Sequence, residues 1–174
     1  MIREVLLYPD RALKQVAAPA QAAEGERVGR DLVDTLRSYP GCVGLAASQL
    51  GELYRVIAVD VSEHPKAVSS NGLLILSNPR VVESEGSEVA REGCLSTPDL
   101  TANVRRATRI AVEHSGGRVE CEGFEARCVL HEIDHLDGIL FLDRVESLVD
   151  DGFRRKTYAP PPGEPGGAGR PQAQ

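Results

Sequence analysis

Apolar residues recur at helical spacing in two stretches of the chain. In the first stretch the residues at this spacing are Val28, Leu32, Thr35, Leu36 and Tyr39, all of them apolar except Thr35. They predict an amphipathic helix over residues 24–39, which Pro40 and Gly41 end. A second helix is predicted over residues 123–137, followed by Gly138, because glycine commonly follows the last turn of a helix.

Shorter apolar runs that are rich in β-branched residues predict strands in the middle of the chain. These runs cover residues 54–61, 73–77, 81–90 and 108–113. The polar segment 62–72 is predicted to be a loop, and Gly116 and Gly117 suit a hairpin turn because glycine tolerates positive φ. Since strands dominate the middle and helices flank them, the pattern favours an α+β fold.

Composition separates a folded part of the chain from a tail. The chain has 174 residues, a length that suits one domain. Its last sixteen residues hold five Pro and four Gly. We therefore expect residues 159–174 to be disordered or extended. Residues 148–158 are predicted to form a short C-terminal helix, and the main domain is predicted over residues 1–147.

Charge and hydropathy exclude several classes of protein. The net charge is −6 and the pI about 5.3, so bulk charge indicates neither a nucleic-acid partner nor an anionic membrane. The chain lacks an apolar run of about 18 residues, which a transmembrane helix needs, and Pro9 interrupts the N-terminus too soon for a signal peptide. We expect a cytoplasmic protein, in which four cysteines favour a metal site over disulfides.

The segment 131–135, His-Glu-Ile-Asp-His, carries the strongest chemical signal. Residues four apart on a helix lie about 40° apart around its axis, so His131 and His135 point to one spot and form half of a divalent metal site. Glu132 projects beside them and is placed to act as a general base. The alternative is a polar helix face with two surface histidines. The apolar residues Leu130 and Ile133 argue against it, because they indicate a buried helix.

A third metal ligand is expected from another segment, and Cys94 is the candidate. It lies in the turn-rich sequence Glu-Gly-Cys-Leu-Ser. One Cys and two His leave one coordination position open, which is typical of a catalytic rather than a structural metal. The remaining cysteines are predicted to be small buried hydrophobic residues: Cys42, Cys121 and Cys128, the last on the same helix face as the histidines.

Small residues in segment 43–49, Val-Gly-Leu-Ala-Ala-Ser-Gln, form the third feature. Gly44 allows a ligand or another backbone to approach closely. Gln49 carries a neutral amide that is able to donate to a developing oxyanion. Tight helix packing is the alternative explanation for the small residues.

These three motifs, in this order, resemble those of the peptide deformylase family. The resemblance extends from about residue 5 to residue 143 and includes Asn78-Pro79 and Asp137-Gly138. It implies an α+β fold with antiparallel or mixed β-sheets packed around a central metal-binding helix. It also implies that residues 1–147 are a catalytic domain that removes the formyl group from the N-terminal formylmethionine of nascent polypeptides and releases formate.

The resemblance further implies a role for each motif residue. The metal ligands would be Cys94, His131 and His135, and the metal is usually Fe(II), with Zn, Ni or Co as common replacements. Glu132 would be the general base and then the acid, while the Gln49 side chain and the Leu95 backbone N–H would stabilise the oxyanion. Glu92 resembles a structural acid with Arg106 as its counterion. The residues implied at the substrate are Val43, Gly44, Glu92, Phe124, Arg127 and Cys128.

Three departures from the family pattern bear on this interpretation. Cys42 stands where the first motif usually has glycine, which would reshape the wall of the pocket. Arg127 stands where an apolar residue usually lines the methionine pocket. Its side chain is expected either to turn out to solvent or to change the preference for the substrate side chain. The basic helix that many family members carry at the C-terminus is shortened here, so we expect at most a weak contact with the ribosome.

Other functions stay open at this stage. One is an inactive or divergent family member that binds metal or peptide. Another is a metalloprotease, or a deformylase-like amidase that acts on a formylated substrate other than formylmethionine. The complete ligand set with Glu132 and Gln49 favours the enzyme, because a structural metal does not need a base. We expect an N-formylated nascent peptide as the partner, with no direct nucleic-acid contact and no membrane.

Overall fold

The computed structural model describes residues 1–155 of the chain. Three α-helices are present in this part: α1 at Ala22–Ser38, α2 at Gly123–Leu136 and α3 at Leu148–Asp151. The strands are β1 Gly44–Ala46, β2 Val56–Val59, β3 Leu74–Ser77, β4 Arg80–Glu85, β5 Glu88–Cys94, β6 Thr97–Arg106, β7 Arg109–His114, β8 Gly117–Glu122 and β9 Gly152–Arg154. No helix in this described part is long and apolar enough to cross a membrane.

The strands form three antiparallel sheets that surround the long helix α2. Their strand orders are β1-β2-β3, β4-β7-β8 and β5-β6-β9. Helix α2 packs against β1 and β2 on one side and against β7 and β8 on another. Most of its residues are buried, which explains why apolar residues interleave with its histidines. The predicted α+β fold with a central helix is therefore confirmed, and the sheets are antiparallel.

The two long helices and three of the predicted strands occur where the sequence pattern places them. The predicted turn at Gly116 closes the β7–β8 hairpin, in which His114 pairs with Gly117. Gly138 follows α2 with φ +70, and a Cβ atom there would lie 2.7 Å from the carbonyl oxygen of Lys14. Only glycine meets both demands, which explains why the helix ends at this point.

One prediction about the strands is wrong, and the longest strand was missed. The run 81–90 is not one strand, because Gly86 turns the chain at φ +67 and separates β4 from β5. The longest strand, β6, was not predicted at all. Its residues are mainly polar on the face that is exposed, so it lacks the apolar run by which the other strands are recognised.

The C-terminal helix is much shorter than predicted. Over residues 148–158 only Leu148–Asp151 is helical, and Gly152–Arg154 pairs with β6 as strand β9. Gly152 lets the chain fold back, since a Cβ atom there would lie 2.4 Å from the carbonyl oxygen of Leu148. The last residues of that segment and the predicted tail 159–174 lie outside the described residues.

Candidate metal centre

The three predicted metal ligands come together in the folded chain. Helix α2 supplies His131 and His135, and strand β5 ends at Cys94. One ligand atom from each residue lies within 4.8 Å of the other two, and Sγ of Cys94 is 3.3 Å from Nε2 of His135. All three residues are buried. A thiol and two imidazoles at this spacing are a donor set that fits a divalent transition metal.

A register shift in the sheet places the cysteine. The pairing of β5 with β6 is regular as far as Gly93 with Thr101, and then shifts so that Cys94 faces Thr97. The N-terminal segment holds the two loops beside this strand end. Leu6 N–H donates to the Gln49 carbonyl and Tyr8 N–H to the Ser96 carbonyl, each at 2.8 Å.

A buried ion-pair network orients His131. Its Nδ1 lies 2.9 Å from Oε2 of Glu92, which leaves Nε2 available as the ligand atom. Arg106 donates to both oxygens of Glu92, at 2.9 and 3.0 Å, and so is the predicted counterion. Burial alone would raise the pKa of Glu92, but hydrogen bonds from His131 and Arg106 prevail and lower it to about 2. The acid is therefore ionised and holds the imidazole in place.

Electrostatics favour the thiolate form of Cys94. Burial opposes ionisation, but the electrostatic influence of His135 and hydrogen bonds from both histidines prevail and lower the pKa of the Cys94 thiol well below its usual value. Gln49 adds a donor, with Nε2 at 3.3 Å from Sγ. Since a metal binds the thiolate, the surroundings prepare this residue for coordination.

Glu132 lies beside the ligands and against β1. It is buried, and its Oε2 has no hydrogen-bond partner among the described residues. Burial raises the pKa of Glu132 to about 7, although the electrostatic influence of the neighbouring His131 and His135 acts in the opposite direction. A carboxyl group with such a pKa is able to accept and return a proton near neutral pH.

The oxyanion candidates lie at the same place. Gln49 is buried, its Oε1 accepts from the Ala46 backbone N–H at 3.0 Å, and this bond fixes the direction of the amide. Its Nε2 donates to Sγ of Cys94 and, at 3.1 Å, to Oγ of Ser96. Leu95 is half-buried and lines the same cavity.

A cavity of about 790 Å³ opens in front of these groups. Every residue that the sequence analysis assigned to the substrate lines it, namely Val43, Gly44, Glu92, Phe124, Arg127 and Cys128. Gly44 is in contact with the catalytic candidate, since a Cβ atom there would lie 2.5 Å from Oε1 of Glu132. Tight packing therefore explains this small residue, because helix α2 lies so close to strand β1 that residue 44 has no room for a side chain.

Arg127 does not turn out to solvent. Its side chain is only 6% exposed. Its guanidinium donates to Oε1 of Glu92 and to the carbonyls of Val104 and Glu88, each at 2.8 Å. A cationic side chain thus forms part of the cavity wall and adds a second arginine to the network around Glu92.

The other cysteines have no ligand role. Cys121 and Cys128 are buried, as predicted, and burial raises the pKa of both thiols, to about 12 for Cys121. Cys42 is half-buried instead of buried and lines the cavity. Its Sγ lies 3.3 Å from the Gly44 carbonyl oxygen, and burial raises its pKa to about 12.

Sequence reasoning missed one acidic residue of the network. Asp134, in the middle of the 131–135 segment, bonds to Nη1 of Arg106 and accepts from Arg144 at 2.6 and 3.0 Å. The sequence did hold a signal for this role: Asp134 lies one turn from His131 on a helix predicted to be buried, and a buried carboxylate needs a cation as its partner. The cationic residues at the cavity mouth, Lys66, Arg91 and Arg155, were also missed.

The fold and the site together define a metal-dependent hydrolase: an α+β protein with a buried Cys-His-His cluster, an adjacent acid and an amide donor. Comparisons identify the family. Residues 2–151 match the sequence profile of the polypeptide deformylase family. This chain belongs to that family, whose members remove the N-formyl group from nascent peptides.

Individual proteins that are similar to this chain carry the name of the same family. A peptide deformylase of Alkalilimnicola ehrlichii is 40% identical over 162 residues, which cover 89% of this chain and 88% of the relative. One of Thermodesulfovibrio yellowstonii is 38% identical and is covered over 96% of its length. The crystal structure of the Legionella pneumophila enzyme superposes with a TM-score of 0.75 at 33% identity, over 85% of this chain and 88% of that one.

Proposed function

We propose that this chain hydrolyses the formyl amide of formylmethionyl peptides with Glu132 as the proton-transfer group. The observation that carries the proposal is the buried Glu132 carboxylate, with one oxygen unpaired, beside the Cys-His-His cluster. A related structure, from Acinetobacter baumannii, is described as bound to Met-Ala-Ser. At 32% identity and a TM-score of 0.73, that relative supports a peptide of this kind as the product here.

The proposed ligands of the metal are Cys94, His131 and His135. A divalent cation held there supplies a Lewis acid, which makes water nucleophilic at neutral pH and polarises a carbonyl oxygen. We propose Fe(II) on the strength of the resemblance, while the donor set also suits Zn, Ni and Co. Glu92 holds His131 in the orientation that the site needs.

Glu132 moves the proton. As a carboxylate it accepts a proton from the attacking water, whose oxygen bonds to the formyl carbon. The C–N bond then breaks, Glu132 returns the proton to the amine nitrogen, and formate and a free N-terminus are released. Its raised pKa, about 7, suits both halves of this cycle.

Negative charge develops on the formyl oxygen, and two groups of this chain are proposed to donate to it. These are the Leu95 backbone N–H and Nε2 of Gln49. In the structure both Nε2 protons have acceptors, Cys94 and Ser96, so the amide has to exchange one of these bonds to reach the substrate. Loss of one such donor typically raises the barrier by about 2.7–4 kcal/mol.

Formate release tests the proposed function directly. The full-length protein, loaded anaerobically with Fe(II) or Ni(II), is incubated with formyl-Met-Ala-Ser, and formate is measured. Turnover that depends on the added metal supports the proposal. Metal binding without turnover would instead indicate an inactive member of the family, and cleavage of an internal peptide bond would indicate a protease.

A second candidate substrate is favoured by one observation. Because the cationic side chain of Arg127 lines the cavity, a formylated residue with a polar side chain is a candidate alongside formylmethionine. A panel of formyl-Xaa-Ala-Ser peptides distinguishes them. A preference for formylmethionine as strong as that of a relative with an apolar residue at this position would exclude the second substrate.

The cellular setting follows from the substrate. We propose that the protein acts in the cytoplasm of a bacterial cell, on peptides that emerge from the ribosome, with residues 1–147 as the catalytic domain. Contact with the ribosome is proposed to be weak, because helix α3 is only four residues long and the net charge is −6.

A further inference from the structure

Three cationic side chains at the mouth of the cavity have no role in the mechanism above. They are Lys66, Arg91 and Arg155. The arginines inside the cavity region are paired with Glu92, but within residues 1–155 none of these three cations has a carboxylate oxygen within 4.0 Å. Unpaired cations at the entrance of a binding cavity attract an anionic ligand.

Two of the three lie on or directly beside one sheet. Arg91 lies on β5, and its guanidinium carbon is 3.5 Å from the centre of the Phe153 ring on β9. Arg155 follows β9 and lies over Gly93, where a Cβ atom would be 2.2 Å from its Nη2. Lys66 is different, because it comes from the loop after β2 and lies 5.9 Å from the ring of Phe124 on α2.

Arg91 lies against the Phe153 ring and Arg155 lies over Gly93, and neither contact uses the N–H donors of the guanidinium group. An arginine stacked on an aromatic ring keeps the N–H groups at its edge free, and that edge matches a carboxylate in a bidentate manner. Gly93 leaves the space that the Arg155 side chain fills. The face of the β5-β6-β9 sheet next to the cavity is therefore equipped to bind a carboxylate.

The position of Arg91 along its strand indicates which part of a peptide would reach it. Arg91 precedes the proposed ligand Cys94 by three residues, which corresponds to about 10 Å in a strand. A peptide in an extended conformation covers the same distance between its formylated residue and the third residue after it, and about 7 Å to the second.

We propose that Arg91 and Arg155 form a carboxylate-binding subsite that favours formylated peptides with an acidic side chain at the second or third position after the formylated residue. This inference rests on the proposed function, since it places the formyl group beside Cys94 and Glu132. The free α-carboxylate of a short peptide has the same chemistry and is tested separately.

The first test compares two substrates that differ only in charge. The metal-loaded, full-length protein is assayed with formyl-Met-Ala-Ser-Glu amide and formyl-Met-Ala-Ser-Gln amide, together with the pair that carries Glu or Gln one residue earlier. We expect kcat/KM to be about threefold to tenfold higher for the acidic peptide of at least one pair, the range between an exposed ion pair and a charge-assisted hydrogen bond. This ratio should shrink as salt is added.

Variants connect the preference to the two arginines. Arg91→Gln and Arg155→Gln are each expected to lower the ratio, and the double charge reversal Arg91→Glu/Arg155→Glu to bring it below one. Arg105→Gln is the matched control. Arg105 lies on the neighbouring strand β6, on the same face of the sheet as Arg91, but it does not line the cavity. Its removal should therefore leave the ratio unchanged.

Binding of the deformylated product separates this inference from the proposed function. Calorimetry with Met-Ala-Ser-Glu amide and Met-Ala-Ser-Gln amide measures their affinities, and so tests the subsite even when the protein does not turn over a substrate. The same peptides with a free C-terminus show whether the α-carboxylate is bound instead. Equal affinities and equal kcat/KM for the acidic and neutral peptides, with formate still released, would overturn the subsite alone. Absence of formate release from every peptide would overturn the proposed function, while the affinities would still decide the subsite.

Discussion

The Glu132 carboxylate lies directly against the backbone of Gly44, where a Cβ atom would be 2.5 Å from Oε1 and 3.0 Å from the carboxyl carbon. Helix α2 and strand β1 approach each other this closely only because residue 44 has no side chain. The strand therefore holds the acid beside the histidines of its own helix. It also forms the cavity wall along which a substrate would lie.

Gly44→Ala should displace the Glu132 side chain while sparing the metal ligands. A displacement of about 1 Å in a reacting group can reduce the rate by about a hundredfold. We expect such a loss in kcat/KM for formyl-Met-Ala-Ser, with the metal content unchanged. Gly116→Ala is the control, since its Cβ atom would meet the ring of His114 in a hairpin turn far along the chain. Equal activity of the two variants would contradict the contact.

Glu132→Gln removes the proton acceptor but keeps the shape of the side chain. We expect turnover to fall about 10²- to 10⁴-fold, the usual contribution of a general acid or base. Metal content, measured by atomic absorption, should stay at the wild-type level, because the ligands are other residues. A variant that kept a near-normal rate would show that Glu132 does not transfer the proton.

Arg127→Met removes the cation from the cavity wall. Glu92 loses one of its buried arginine partners and the carbonyls of Val104 and Glu88 each lose a donor, so the free energy of unfolding should fall by about 3–5 kcal/mol. At the same time the preference for formylmethionine over formylated residues with polar side chains should rise. Urea unfolding and a substrate panel measure the two effects, and an unchanged panel would exclude Arg127 as a specificity residue.

Arg106→Leu leaves Glu92 and Asp134 with fewer cations in a buried setting. Breaking such a pair typically costs about 3–5 kcal/mol, and we expect a loss of this size in urea unfolding. Arg80→Leu is the matched control: its ion pair with Glu113 is exposed, and exposed pairs contribute about 0–1 kcal/mol. Similar losses for both variants would contradict the importance of the buried network.

Metal binding should stabilise the fold through the three proposed ligands. A ligand at a hundred times its dissociation constant adds about 2.7 kcal/mol of stability. We expect Ni(II) to raise the Tm of the metal-free protein and a chelator to reverse the rise. Cys94→Ser should remove most of this shift, whereas Cys121→Ser, in a cysteine outside the cavity lining, should retain it. A full shift in Cys94→Ser would exclude the cysteine as a ligand.

Local patterns determined a large part of this molecule. The spacing of His131 and His135 specified two ligands on one helix, because a helix brings residues four apart onto the same face. Apolar residues at helical spacing specified both long helices, and short apolar runs rich in β-branched residues specified three strands. Cys94 and Gln49 were found as motif residues, although nothing in their local sequence says how near to the histidines they lie.

Tertiary structure decided what depends on distant partners. Strand β6 could not be recognised, since its polar residues become a strand only through pairing with β5 and β9. The environment of Arg127 was open in the sequence, because three acceptors from β5 and β6 decide that it is buried. The contact of Gly44 with Glu132 joins residues 88 positions apart, and only the packing of α2 on β1 creates it. Hydrophobic periodicity reports which face of an element is buried, but the identity of the group across that face is fixed by the fold.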